Sequence, residues 1–136
     1  MKVIGECFCG SISYAIDGPL KDPLACHCSR CRKVFSAQSS NYSRVESGCF
    51  EWLKGEQLLT HYLSQQGFGL AFCSNCGSTL IGTYEDRVHG ITLGCLNSDP
   101  DMPEIHHIYV DSKAGWDVIP DDAIIYSEGR SESDHR

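Results

Sequence analysis

Positive charge is scarce in this sequence of 136 residues. Eleven lysines and arginines stand against 18 aspartates and glutamates, a formal net charge of −7. A nucleic-acid groove wants a basic stripe, so that class of partner is disfavoured. Long apolar runs are missing too, and nothing approaches the roughly 18 residues of a membrane span. Met1 to Gly10 carries one lysine and no apolar core, so no secretory signal is expected there. Several chemical signatures are also absent. There is no His-x-Glu followed by Pro-Cys-x-x-Cys, as the zinc deaminases have. There is no His-Glu-x-x-His of the zincin proteases and no phosphate-cradling glycine loop. Repeats of solenoid length and long amphipathic helices are lacking as well.

Cysteine is what the sequence has in excess, with nine in the chain. Without a secretory signal the expected compartment is the cytoplasm, where disulfides do not persist. Clustered cysteines there read as metal-binding or catalytic. Seven fall in three short motifs: Cys7 and Cys9; Cys26, Cys28 and Cys31; Cys73 and Cys76. In Cys26-His27-Cys28-Ser29-Arg30-Cys31 the first two thiols share one side of an extended segment. A tight turn through Ser29 and Arg30 can bring the third toward them. Three sulfurs converging on one point leave a tetrahedral zinc with an open position. Phe72-Cys73-Ser74-Asn75-Cys76-Gly77 is a zinc-knuckle sequence, whose glycine permits the positive φ that turns amides toward the sulfurs.

Two partitions of these thiols compete. In one, Cys7, Cys9, Cys73 and Cys76 form a closed four-sulfur site and Cys26, Cys28 and Cys31 an open one. In the other, Cys28 and Cys31 join Cys73 and Cys76 as a zinc ribbon. Paired Cys-x-x-Cys motifs slightly favour the ribbon; the first partition uses all seven thiols.

Hydrophobic residues make up 41% and charged residues 21% of the chain, a globular balance. The length suits one domain, read as residues 1–126, with a flexible tail at 127–136. About seven short strands with turn signals between them predict an all-β fold. They are placed at Ser11–Ile16, Leu24–Cys28, Phe50–Leu53, Leu58–Ser64, Thr79–Tyr84, Gly90–Leu96 and Ile105–Val110. Ile124–Tyr126 reads as a short strand or coil. Arg32 and Lys33 read as a solvated turn, with a positive field beside the thiolates as the functional alternative. Cys49 and Cys95 read as small buried hydrophobes, and they are also the candidates for a fourth ligand at the open site. His27 should point away from its neighbouring ligands. His61, His106 and His107 read as structural, His106 and His107 facing opposite ways, with His107 or Asp111 as candidate proton donors. Phe68 and Trp116 read as packing residues.

The run from Gly5 to Gly10, with Tyr14 downstream, resembles the glutathione-dependent formaldehyde-activating enzyme family. So do the stretches Cys26 to Lys33 and Phe72 to Ser78, and the segment from His107 to Trp116 is similar too. The resemblance implies the Mss4-like fold of small coiled antiparallel sheets with two zincs per chain. Cys7, Cys9, Cys73 and Cys76 would hold a structural zinc. Cys26, Cys28 and Cys31 would hold the active-site zinc, the more weakly bound of the two. The implied activity is a carbon–sulfur lyase step in which a small thiol such as glutathione adds to formaldehyde. The alternatives are a non-catalytic thiol-binding protein and a zinc-stabilised interaction domain.

Overall fold

The computed structural model describes residues 2–130, which form eleven short strands, one α-helix and four 3-10 turns. No helix among them is long and apolar enough to cross a membrane. Strand β1 (Lys2–Glu6) pairs antiparallel with β2 (Ser13–Asp17). In β2, Tyr14 and Ile16 continue the alternation begun by Ile12, and all three are fully buried. Strand β3 (Lys21–Cys26) leads into helix α1 (Ser29–Phe35). After it come β4 (Ser40–Arg44) and β5 (Phe50–Lys54), and β5 returns to pair with β2.

The next four strands form an antiparallel meander: β6 (Leu59–Leu63), β7 (Phe68–Cys73), β8 (Thr79–Tyr84) and β9 (Arg87–Thr92). Glu85 and Asp86 close the β8–β9 hairpin with φ of 50° and 64°. Two left-handed residues match the twist of the flanking strands. Strands β10 (His106–Ile108) and β11 (Ile124–Ile125) finish the fold.

Strands β1, β2 and β5 make a three-stranded sheet; the others form an eight-stranded sheet in the order β11-β10-β3-β4-β9-β8-β7-β6. The pairings are antiparallel except the two made by β10, which runs parallel to β3 and β11. The main core lies between the sheets and joins Val3, Ile12, Tyr14, Ile16, Leu20, Leu80, Ile81 and Ile91 to Cys7 and Cys73. A smaller core gathers Leu24, Cys26 and Ile108, with Cys28, Cys31 and Tyr126 packed against it.

The all-β expectation holds, with one short helix added where a turn was expected at Arg32 and Lys33. Strands β1, β4 and β7 were not expected. The strand expected to reach Cys28 stops at Cys26. Gly90–Leu96 ends at Thr92 and passes into a 3-10 turn, and Ile105–Val110 shortens to His106–Ile108 because Tyr109 turns left-handed. The expected tail is tied down at its start, where the Tyr109 N–H donates to the Glu128 carbonyl at 3.0 Å; residues 131–136 lie outside the described residues.

Candidate metal centres

Cys7 and Cys9 sit on the turn after β1, which Gly10 closes with φ of +79°. Cys73 ends β7, and Cys76 sits on a turn closed by Gly77 at φ +82°. The Gly77 N–H donates to the Cys73 carbonyl at 2.8 Å, which fixes that turn. Backbone amides also face the sulfurs: Ile12 N–H donates to Cys7 Sγ at 3.3 Å and Asn75 N–H to Cys73 Sγ at 3.4 Å. The four sulfurs all lie within 4.8 Å of one another. Cys9 Sγ is 3.7 Å from Cys7 Sγ and 3.8 Å from Cys73 Sγ. Sulfurs held about 2.3 Å from one zinc at tetrahedral angles stand about 3.8 Å apart, so the spacing fits that ion. Burial pushes the Cys73 thiol up to about 11, while hydrogen bonding to Ser78 draws Cys76 down to about 5.

The second group is built locally. Cys26 ends β3, and its N–H donates to Ser40 Oγ across the sheet at 3.1 Å. Cys28 keeps an extended backbone as the N-cap of α1, and its Sγ accepts from the Cys31 N–H at 3.4 Å. The helix brings Cys31 round to the other two, and the three sulfurs lie within 4.8 Å of one another. The Cys31 thiol is pushed strongly up by its hydrogen bond to Cys26, then by burial and by the charges of Cys26 and Cys28. Three thiolates repel at this spacing, and a divalent cation reverses that balance. The donor set therefore fits a soft divalent metal such as zinc.

Neither candidate fourth ligand joins the triad. Cys95 Sγ lies 3.5 Å from the Thr79 carbonyl, and both Cys95 and Cys49 pack on the main core. Arg32 is neither a solvated turn residue nor a lone positive charge beside the sulfurs. It donates to the His27 carbonyl at 3.3 Å and the Ser112 carbonyl at 3.4 Å, clipping α1 to the segment after β10.

Register decides what else shares the triad's face. Leu24 pairs with His106 and Cys26 with Ile108, so these four point one way. Tyr126 joins them, its hydroxyl 3.2 Å from His106 Nδ1. His27 and His107 point the other way, with His27 Nε2 2.9 Å from His107 Nδ1. Burial lowers the pKa of both, and in His27 the neighbouring His107 adds to the effect. The sheet therefore separates His107 from the triad, which counts against it as proton donor there. Asp111 is exposed on a 3-10 turn. Trp116 is 73% exposed rather than packed, and Phe68 rests on Tyr84 with ring centroids 4.7 Å apart. Tyr126 and Asp117 were not singled out from sequence; their side chains meet His106 and His27 through contacts distant along the chain.

Comparison with known proteins agrees with this architecture. No curated protein matches the chain. A crystal structure of a Rhodobacter sphaeroides protein superposes with a TM-score of 0.54 at 21% identity, covering 76% of this chain and 100% of that one. A model of the glutathione-dependent formaldehyde-activating enzyme family matches residues 2–112. That span contains all seven cysteines of the two groups, and the chain, with its Mss4-like β fold, belongs to the glutathione-dependent formaldehyde-activating enzyme family.

Proposed function

We propose that the chain is a zinc-dependent carbon–sulfur lyase acting on adducts of a small thiol, glutathione being the first to test. One observation carries this reading. Of the two cysteine groups, one has four sulfurs and the other three, with no fourth His, Cys, Asp or Glu atom beside it among the described residues. The four-sulfur group has the closed donor set of a structural site, and the triad has the donor set of an open one. Nine cysteines without a disulfide also suit a reducing compartment such as the cytoplasm.

Cys7, Cys9, Cys73 and Cys76 would hold the structural zinc, and Cys26, Cys28 and Cys31 the second. When bound, the second ion supplies positive charge that favours the thiolate form of an incoming thiol. The chain's residues do the rest. Strand β3 fixes Cys26, the helix start fixes Cys28, and α1 fixes Cys31, so the three sulfurs are preorganised. In the adduct reaction a carbon–sulfur bond forms at the formaldehyde carbon. The carbonyl π pair moves to oxygen, and the oxygen takes a proton. Tyr126, hydrogen-bonded to His106 on the triad's face, is the group best placed to deliver it.

The test is NMR exchange of glutathione with formaldehyde on protein of known zinc content. We expect two zincs per chain and exchange faster than background. Cys28→Ala should keep the fold, lose one zinc and return exchange to background. Exchange unchanged in that variant would overturn the reading. Tight glutathione binding without acceleration would make the protein a thiol-binding module instead.

A further inference from the structure

The outer strand of a sheet presents unpaired backbone groups, and folds guard such edges with charge, proline, bulges or covering chain. Along β1 the Ile4 carbonyl accepts from the Asn97 N–H at 2.9 Å, and Gly5 bridges to Leu96. Strand β5 carries Glu51 and Lys54, and β11 is only two residues long. Strand β6, Leu59-Thr60-His61-Tyr62-Leu63, has none of these guards. It is the last strand of the eight-stranded sheet, and its ladder with β7 runs without a bulge. It lies in the stretch between Glu56 and Glu85, which contains no Asp, Glu, Lys, Arg or Pro.

The hydrogen-bond phase of β6 shows which of its groups face outward. The Ser64 N–H donates to the Phe68 carbonyl at 2.7 Å, and the Ser74 N–H to the Leu58 carbonyl at 3.0 Å. Both pairs continue the register in which Thr60 meets Phe72 and Tyr62 meets Leu70. Bonded and non-bonded pairs alternate along an antiparallel ladder. Thr60 and Tyr62 therefore point their N–H and C=O at β7. Leu59, His61 and Leu63 point theirs away, where no other described strand meets them.

The side chains follow the same alternation. Leu59 and His61 pair with Cys73 and Ala71, both fully buried, so the odd-numbered residues lie on the core side of the sheet. Leu59 packs on the main core, yet Leu63 is left 62% exposed. Tyr62 is as exposed on the opposite face, where Phe68 and Tyr84 extend the exposed apolar surface.

We propose that β6 pairs antiparallel with β6 of a second copy of this chain, about a two-fold axis through His61. A strand whose outward groups fall at Leu59, His61 and Leu63 is its own complement in that register. His61 meets His61 of the second copy and Leu59 meets Leu63 of that copy, each pair exchanging both N–H···O bonds. Exposed Leu63 then lies beside a core-packed Leu59, and Tyr62 beside Thr60, an aromatic and β-branched pair of the kind that stabilises sheets. The chain has a net charge of −7, which holds copies apart elsewhere. The uncharged edge lets them meet here. This pairing is independent of the thiol chemistry proposed for the triad.

The experiment uses the zinc-loaded full chain. Sedimentation velocity should show a monomer–dimer equilibrium that shifts with concentration. Amide exchange read by NMR should slow at Leu59, His61 and Leu63 as the dimer forms. It should stay unchanged at Thr60 and Tyr62, which β7 already protects. Mixed labelled and unlabelled chains should give an intermolecular contact between the α-protons of Thr60 and Tyr62, which face each other in a non-hydrogen-bonded pair. His61→Lys sets like charges opposite each other on the axis and should weaken the dimer about fivefold. Zinc content and circular dichroism should not change in that variant, and His61→Gln should keep the dimer. A monomer at every concentration would overturn the proposal, even if a strand of another protein paired with this edge. So would a dimer that leaves the Leu59, His61 and Leu63 amides unprotected, or one as tight in His61→Lys as in the parent.

Discussion

Among the described residues Tyr14 is the largest fully buried side chain, and its hydroxyl has no hydrogen-bond partner there. Its ring packs against Phe50, at 5.0 Å, and Trp52, at 6.0 Å between centroids, and those two rings also touch each other. A Cβ at Gly5 would overlap the same ring, so β1 carries a glycine where it passes over it. Burial pushes the Tyr14 pKa far above the usual phenol value, with the nearby Cys95 adding to it. The folded chain thus holds this proton more tightly than the unfolded chain. The group's contribution to stability is complete below pH ~10 and is lost as pH rises above that, by at most about 1.4 kcal/mol per pH unit. Tyr14→Phe should remove that loss. It should also raise stability at neutral pH by about 1 kcal/mol, because an unsatisfied buried hydroxyl is deleted. Urea denaturation of both proteins at neutral and alkaline pH measures both effects. Equal alkaline slopes would refute the assignment.

Among the elements, β8 and β9 meet at a pair of glycines. Gly82 faces Gly90 directly, and Tyr42 from β4 lies over both, its hydroxyl 2.8 Å from His89 Nδ1. A Cβ at either glycine would run into the Tyr42 ring. Gly82→Ala should therefore cost about 1–3 kcal/mol through overpacking. In a Tyr42→Ala background the same change should cost much less, and chemical denaturation of the four proteins gives the coupling directly.

The same elements explain what the sequence revealed and what it hid. The β8–β9 hairpin was legible because apolar runs flank a polar turn. The cysteine motifs were legible because each is local. Strand β4 was not, because its inward residues are serines. Ser43 Oγ donates to the Lys21 carbonyl at 2.8 Å and Ser40 Oγ accepts from Cys26 N–H at 3.1 Å, so burial there leaves no apolar alternation. Helix α1 buries no residue and so shows no helical periodicity. Strand β7 looked like a loop because Gly69 sits in it, yet a Cβ there would come within 2.6 Å of the Tyr62 carbonyl oxygen. The His27–His107 contact joins residues 80 apart, which no local pattern can report.

For the whole molecule, the two cysteine groups differ in how firmly protons compete for them. Metal binding requires thiolates, so acid releases the ion. Cys31 is raised strongly by its hydrogen bond to Cys26 and by burial, whereas in the four-sulfur group burial raises Cys73 to about 11 but Ser78 draws Cys76 down to about 5. On acidification the triad should give up its zinc before the four-sulfur group does. Release followed with a colorimetric chelator should show two steps, with circular dichroism changing only at the second. Release in a single step coincident with unfolding would contradict this.

The groups also differ in when they can exist. The triad spans six consecutive residues, Cys26 to Cys31, whereas the four-sulfur group must draw Cys73 back to Cys9, 64 residues earlier. Chains emerge from the ribosome N-terminus first, at about 5–20 residues per second. For several seconds the nascent chain offers six thiols, Cys49 among them, before the knuckle that completes the closed site has been made. The triad is then the one complete trap for metal, and Cys7 and Cys9 lie within reach of the same ion. The site assigned to chemistry is thus the first able to load, and the site assigned to architecture can close only afterwards. Under the proposed zinc assignment, metal supply during translation, and not final affinity alone, would set how many chains reach the correct pairing.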